Sequence, residues 1–539
     1  MDEQTLYDQA VAAHRAGQLA EAERCYGLLM TTAPARVRYP LGLLRAQQGR
    51  ADEAATLMAA ALTQGPASGE MLLNYSNVLL SLGRFADAAP VLERATAALP
   101  GNATLWANRG HALLQLDRVT DALASFRQAL ALQPANPGLL NLCGDIARKS
   151  NRPGEALEFY DRALALQPGA PVLLNNRANA LRDLRRFDEA LATCDQALAL
   201  RPNDATGHNN RGNVLKSLKR YDEALAALDR ALALQPDQPA TLYNRGKLLC
   251  DANRIADGFA DFARSAVLTN GVPVWVDERG SMKPQRARHD AEQAAWLRDN
   301  GTRATVDTLH VESGDRIAGA AINPVSAARA VEDWRTSSPK LVVVDDLLTP
   351  PALAALRRFC WGSTVWRSAY DGGYLGAFPE HGFAAPLLAQ IADEFRTGFA
   401  GIVGSHALKY IWAFKYDSTL HGIGIHADRA AVNVNFWITP DEANLDPDHG
   451  GLVVWDVAAP LDWDFEQYNG DIAATRAFLA QSGARAITVP YRANRAVIFD
   501  SDLFHETDTI RFREGYLNRR INVTLLYGDR EAGLDSPHE

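Results

Sequence analysis

The sequence predicts a multidomain α + β chain: an N-terminal α-solenoid built from repeats, then an all-β core with flanking helices. Three observations carry this. Prolines recur at a near-constant step through the first half. Short strand-like runs separated by turns fill the second half. Charge is also divided between the two. The chain has 539 residues and a formal net charge of −9, from 55 basic and 64 acidic side chains. Residues 1–270 hold 29 basic and 28 acidic groups, leaving 26 and 36 for residues 271–539. The front is therefore near neutral and the back strongly acidic, in a chain too long for one ordinary core.

Composition excludes several function classes. An acidic chain without a long Lys/Arg cluster is poorly suited to gripping nucleic acid phosphates. No apolar run approaches the ~18 residues that span a bilayer, so no membrane role is expected. Met1-Asp2-Glu3-Gln4 lacks the basic and apolar regions of a signal peptide. The five cysteines (Cys25, Cys143, Cys194, Cys250, Cys360) are odd in number and form no CxxC pair. A reducing, cytoplasmic setting is the expectation.

In the first half, prolines fall at Pro34, Pro66, Pro100, Pro134, Pro168, Pro202 and Pro236; the first step is 32 residues and every later one 34. Ala122, Phe126, Ala129 and Pro134 recur as Ala156, Tyr160, Ala163 and Pro168, then as Ala190, Cys194, Ala197 and Pro202. Gly42, Gly110, Gly144, Gly212 and Gly246 open most units. Each unit reads as two antiparallel helices that approach closely at the small residues, with the aromatic filling the gap to the next unit. Proline follows the second helix because it cannot continue the hydrogen-bond ladder. The pattern resembles the tetratricopeptide repeat over residues 3–270, as about eight units. The last is degraded, with Gly258 and Asn270 at the alanine and proline positions, as a capping repeat would be.

Asparagines recur at the sixth position of the units (Asn74, Asn108, Asn176, Asn210, Asn244), with three more a turn later (Asn77, Asn179, Asn213). Residues at i and i+3 share a helix face, so stacking would build an amide ladder able to hold an extended peptide. This ladder resembles that of the O-GlcNAc transferase repeat superhelix. The expected partner is a protein or peptide. Residues 271–337 break the period and read as a connecting region, with one helix around Arg288–Arg298 and no visible chemistry.

The second half opens with Leu341-Val342-Val343-Val344, then a helical pattern from Pro350-Pro351 through Leu353, Leu356 and Phe359. Strand-like runs follow at Tyr410–Tyr416, Val432–Ile438, Leu452–Trp455, Ala496–Phe499 and Ile521–Tyr527, with a long insertion at 461–490. They argue for an all-β sandwich or barrel. His426-Ala427-Asp428 puts an imidazole and a carboxylate on one face of an extended segment. His505 lies just past a later strand. Two imidazoles and one carboxylate on one face of an octahedron leave three positions open, which suits non-heme Fe(II). His421 and His449 are not assigned as ligands.

Together, the HxD, the Gly450-Gly451 turn into Leu452-Val453-Val454-Trp455-Asp456, and Val497-Ile498-Phe499-Asp500-Ser501 before His505 resemble a known core. It is the double-stranded β-helix (jelly roll) of the 2-oxoglutarate- and Fe(II)-dependent oxygenases, in the prolyl-hydroxylase-like branch, over residues 338–530. The resemblance implies His426, Asp428 and His505 as metal ligands, with no catalytic residue beyond the metal centre. Fe(II), 2-oxoglutarate and O2 are implied as cofactor and cosubstrates, with ascorbate an optional reductant. It also implies a basic residue for the distal carboxylate of 2-oxoglutarate, for which an arginine fork is well matched. Strand alternation places Arg520, Asn522 and Thr524 on one face and Arg519 on the other, favouring Arg520 with Asn522 assisting. Arg520 lies farther past His505 than is usual in the family. Arg511–Leu517 must then loop out, and Arg513 is the fallback. Tyr416 is similar to a tyrosine that contacts 2-oxoglutarate in relatives, and Trp437, Trp463 and Tyr468 are candidates for the substrate side. The expected function is hydroxylation of a protein or peptide recruited by the repeats. The alternatives are a small-molecule or lipid oxygenase whose repeats serve assembly, and a non-enzymatic repeat scaffold.

Overall fold

The computed structural model describes residues 2–530 except 65, 270–283, 307, 371 and 419–421. Sixteen helices run from Glu3 to Leu268 in eight antiparallel pairs. Within each pair the turn carries a left-handed residue, and these positions keep the repeat period: Gly17, Gly49, Gly83, Asp117, Asn151, Arg185, Lys219 and Asn253. Second helices end two residues before the periodic prolines, as at Leu132, Leu166, Leu200 and Leu234. Arginines ahead of many second helices pair with a carboxylate three residues on, as in Arg118–Asp121 (2.6 Å) and Arg220–Glu223 (2.7 Å). Much of the front half's charge is thus cancelled locally. In three units the aromatic lies over its own unit's glycine: Phe126 on Gly110, Tyr160 on Gly144 and Phe262 on Gly246. A Cβ on Gly110 would sit 2.7 Å from the Phe126 ring, and one on Gly144 2.5 Å from Tyr160. Phe126 also clusters with Leu140 and Cys143 of the next unit, so the ring serves both neighbours and not the following unit alone.

The chain forms two compact units, the first ending at Pro202 and the second beginning at Asn203. The paired helices continue to Leu268, so the last two pairs belong to the array by period and to the second unit by contact. The reason lies in the core of the second unit. Cys250, Ile255, Phe259 and Phe262 of the last repeat share one buried cluster with Phe383, Leu387 and Ile391, and Lys409 pairs with Asp251 at 2.9 Å. The last repeat is docked and is not a polar cap. Gly258 replaces alanine because a Cβ there would lie 2.7 Å from the Gly246 carbonyl oxygen.

Among the described residues, ten strands form two antiparallel sheets: β1 (Leu341–Val344), β2 (Ser368–Ala369), β3 (Tyr374–Ala377), β4 (Leu408–Tyr416), β5 (Val432–Trp437), β6 (Leu452–Ala458), β7 (Ala486–Val489), β8 (Ala496–Asp500), β9 (Leu503–Thr507) and β10 (Ile521–Tyr527). The larger sheet has the order β1-β8-β5-β10-β4-β3-β2 and the smaller β7-β6-β9. One face of the larger sheet packs Val432, Val434, Ile521, Val523 and Leu525 against helices Pro350–Gly362 and Pro386–Gly398. Its other face meets the smaller sheet, with Val497 and Phe499 clustered with Leu452, Val454 and Leu503. The insertion at 461–490 supplies helices Phe465–Asn469 and Ile472–Gln481 and the edge strand β7.

The described part of the connecting region carries a helix where the sequence suggests one. Helix Pro284–Asp299 packs on the second unit: Gln293 donates to the Ser363 carbonyl at 2.8 Å, and Arg519 pairs with Glu292 at 2.8 Å. Its buried His289 lies 3.3 Å from the Lys415 amine, and burial holds both groups well below their ordinary pKa values.

Candidate metal centre

Two chain segments build the site. Ile425–Asp428 is extended beside β9, and His426 and His505 exchange both backbone hydrogen bonds (N to O, 3.0 and 2.8 Å). This pairing brings the two imidazoles together, tilted by 49° with centroids 4.3 Å apart. The one-residue alternation then brings Asp428 to the same face, where Nε2 of His505 lies 3.4 Å and Nε2 of His426 3.8 Å from its carboxylate oxygens. All three ligand atoms fall within 4.8 Å of one another, and among the described residues this is the one group of three or more such side chains with that property.

The surroundings aim the lone pairs inward. Nδ1 of His426 donates to the Gly424 carbonyl at 2.8 Å, and Nδ1 of His505 to the Leu503 carbonyl at 3.1 Å. A proton held at Nδ1 leaves Nε2 as an acceptor toward the centre. Asn433 Nδ2 donates to Asp428 Oδ2 at 2.6 Å and fixes the carboxylate. Burial, reinforced by the neighbouring His505, pushes the His426 imidazole down to about 4, so it is neutral at pH 7. Burial also works to raise the Asp428 carboxyl, but His505, His426 and Asn433 outweigh it and hold it below its ordinary value. Three acceptors converging in a buried pocket fit a divalent cation.

The centre opens into a small cleft, partly open to solvent. Trp412, Phe414 and Tyr416 of β4, Asn435 of β5, Arg520 just before β10, and Asn522 and Thr524 of β10 line it. Arg520 is fully buried at 1% exposure. Its Nε donates to the Gly450 carbonyl (2.7 Å) and its Nη2 to that of Gly451 (3.0 Å). Its Nη1 is buried with no hydrogen-bond partner among the described residues. The Tyr416 ring lies 4.7 Å from the guanidinium carbon and the Trp437 ring 5.6 Å. The other arginines sit elsewhere. Arg519 faces the helical layer with Glu292 and Asp417. Arg511 and Arg513 are exposed in the loop before β10, which is held to the chain through Leu445 N to Arg511 O and Arg513 N to Ala443 O.

Three aromatic candidates for the substrate side lie away from the cleft. Trp437 is buried beneath Arg520, and Trp463 and Tyr468 pack with Phe478 and Phe504 in the insertion. His449 is partly exposed and hydrogen-bonds Asp508 through Nδ1 at 3.1 Å. His421 lies outside the described residues. Asn433 and Asn435 escape a reading centred on charged groups. Their signal is the alternation Val432-Asn433-Val434-Asn435-Phe436, which places two amides on the face opposite the apolar core.

The repeat asparagines are hydrogen-bonded between consecutive units. Asn74 donates to Tyr39 (2.8 Å), Asn108 to Asn77 (3.0 Å), Asn176 to Asn141 (2.9 Å) and Asn244 to Asn209 (2.9 Å). Asn210 holds the same place in its helix as Asn176 and Asn244 and is buried, at 6% exposure.

The chain matches the tetratricopeptide repeat family over residues 39–103, 107–171, 175–239 and 211–271, and a second tetratricopeptide repeat description over residues 4–27. Residues 4–271 therefore contain a tetratricopeptide repeat array. Similar solved structures include YrrB, described as a TPR protein with an unusual peptide-binding site. It is 23% identical, covers 34% of this chain and 95% of its own, and has a TM-score of 0.31. A tetratricopeptide repeat protein from Parabacteroides merdae is 17% identical over 43% of this chain and 92% of its own, with a TM-score of 0.38. The type IV pilus biogenesis factor PilW is 20% identical over 36% and 91%, with a TM-score of 0.33. No curated protein matches the chain. Among the described residues, no helix is long and apolar enough to cross a membrane.

Proposed function

We propose that the two-sheet region is a double-stranded β-helix oxygenase domain that uses Fe(II) and 2-oxoglutarate to hydroxylate a protein or peptide bound by the repeats. One observation carries the reading. Two imidazoles with Nε2 turned inward and one carboxylate share a cleft with a buried guanidinium that has a single free edge. In such a cleft, Nε2 of His426, Nε2 of His505 and the Asp428 carboxylate hold the ion. Nη1 of Arg520 receives the distal carboxylate of 2-oxoglutarate, while the Gly450 and Gly451 carbonyls and the Tyr416 and Trp437 rings keep the guanidinium aimed. Asn522 lies beside it on β10. The bound metal and cosubstrate supply the oxidising chemistry, coupled to decarboxylation of 2-oxoglutarate to succinate. The protein positions them and shields the reacting centre from water.

Tetratricopeptide repeats are protein-interaction modules, and the amide oxygens of the ladder can accept from a peptide backbone. One observation favours a purely architectural ladder instead: Asn74, Asn108, Asn176 and Asn244 already donate to neighbouring units. The test is succinate release by the purified full chain with Fe(II), ascorbate and 2-oxoglutarate, with and without cell extract. Turnover that rises with extract and disappears in Asp428→Ala is expected. Absence of both turnover and metal binding in the unaltered chain refutes the proposal.

A further inference from the structure

Resting on that metal-site reading, we infer that the insertion between β6 and β7 is a clamp on the HxD segment, and that Asn469 is a positioning residue for both ligands it carries. In an extended segment, the polar backbone groups of successive residues point to opposite edges. His426 spends both of its groups on His505. Those of Ala427, between the two ligands, face the other edge, and the insertion satisfies both. The Ala427 N–H donates to the Tyr468 carbonyl at 3.0 Å, and its carbonyl accepts from Asn469 Nδ2 at 3.1 Å. An edge that β-pairing would leave open is closed by helix Phe465–Asn469.

Side chains repeat the arrangement. His426 and Asp428 turn toward the centre, while Ile425 and Ala427 turn away into a buried cluster with Tyr468, Leu479 and Phe504. The insertion is itself fastened at its base. Arg530 donates to the Ala459 and Pro460 carbonyls (2.7 and 2.9 Å) and lies 4.4 Å from the Tyr468 ring. Arg476 pairs with Glu506, the residue after the second histidine ligand, at 2.9 Å. The same insertion thus grips both ligand-bearing segments, and rotation of the Ala427 peptide would swing His426 and Asp428 apart.

The test is Co(II) titration of the full-length chain, read from the visible absorption of the bound ion. Asn469→Asp keeps the shape of the side chain but loses the donor. It should weaken Co(II) binding at least about tenfold, in the range of outer-sphere partner losses at metal sites, and alter the band pattern. The metal-free thermal unfolding profile should stay that of the unaltered chain. Should Asn469→Asp not fold, Arg476→Ala, a change at an exposed side chain of the same insertion, should weaken binding in the same direction. Unaltered Co(II) affinity and spectrum in a folded Asn469→Asp chain would overturn the clamp and leave the metal site standing. Absence of Co(II) binding by the unaltered chain would overturn the metal site and the clamp with it.

Discussion

Replacing Arg520 by alanine separates the proposed cosubstrate site from its surroundings, and its size can be worked from the geometry. Two donors of the guanidinium are committed to Gly450 and Gly451 at 2.7 and 3.0 Å, so one edge remains for a ligand carboxylate. A hydrogen bond to a charged group contributes about 1.5–3 kcal/mol, which corresponds to a loss of about ten- to hundredfold in affinity. Calorimetric titration of 2-oxoglutarate into the full chain loaded with Mn(II) reads this directly. Arg520→Lys should fall between the unaltered chain and Arg520→Ala, since it keeps the charge and loses the fork. Arg519→Ala should leave 2-oxoglutarate affinity unchanged, because that guanidinium lies on the opposite face with Glu292 and Asp417. Unchanged affinity in Arg520→Ala, or an equal loss in Arg519→Ala, would refute the assignment.

Phe262→Ala, which removes a ring 5% exposed between the last repeat and the helical layer, should destabilise the second unit by about 3–5 kcal/mol. Hydrogen exchange should then report lowered protection in helix Pro386–Gly398 as well as in the repeat, whereas Phe126→Ala should leave that helix as it was. Asp345 accepts from Arg495 and Arg492 (2.6 and 2.9 Å), and the Arg495 hydrogen bond holds its carboxyl below the ordinary 3.8. Its contribution, about 1 kcal/mol after solvent screening, is fully present above the unfolded value and is lost as pH falls through the folded one. Denaturant unfolding of Asp345→Asn against the unaltered chain should show a stability gap at pH 7 that closes below pH 3.8; a gap that widens toward acid pH refutes this.

Local pattern made much of this legible. The proline step located the helix pairs, because a helix stop is a property of one residue and its neighbours. Alternation in Ile521–Tyr527 placed Arg520, Asn522 and Thr524 on the cleft face, since a strand's period leaves no other choice. What the pattern could not carry was long-range packing. Nothing in the repeat period distinguishes Phe262, whose ring enters the core of the β region, from Phe126, whose ring does not. His289 and Arg286 lie in a segment that reads as a polar linker, yet both are buried. The amides of Asn433 and Asn435 are equally silent until the facing sheet is in place.

The pairing of His426 with His505 also sets an order of events. The two residues are 79 positions apart in sequence, and their imidazoles face one another only because their backbones share a rung. Closing so long a loop belongs to the slow, non-local part of folding. The unfolded chain therefore offers a metal only single ligands or the one HxD pair, and an ion cannot nucleate this architecture as it does in a zinc finger. A metal held by these three residues would be captured after the sheets have closed. On the proposed function, the metal-free protein would have to stand on its own packing, and a shortage of the ion would leave a folded, fillable form.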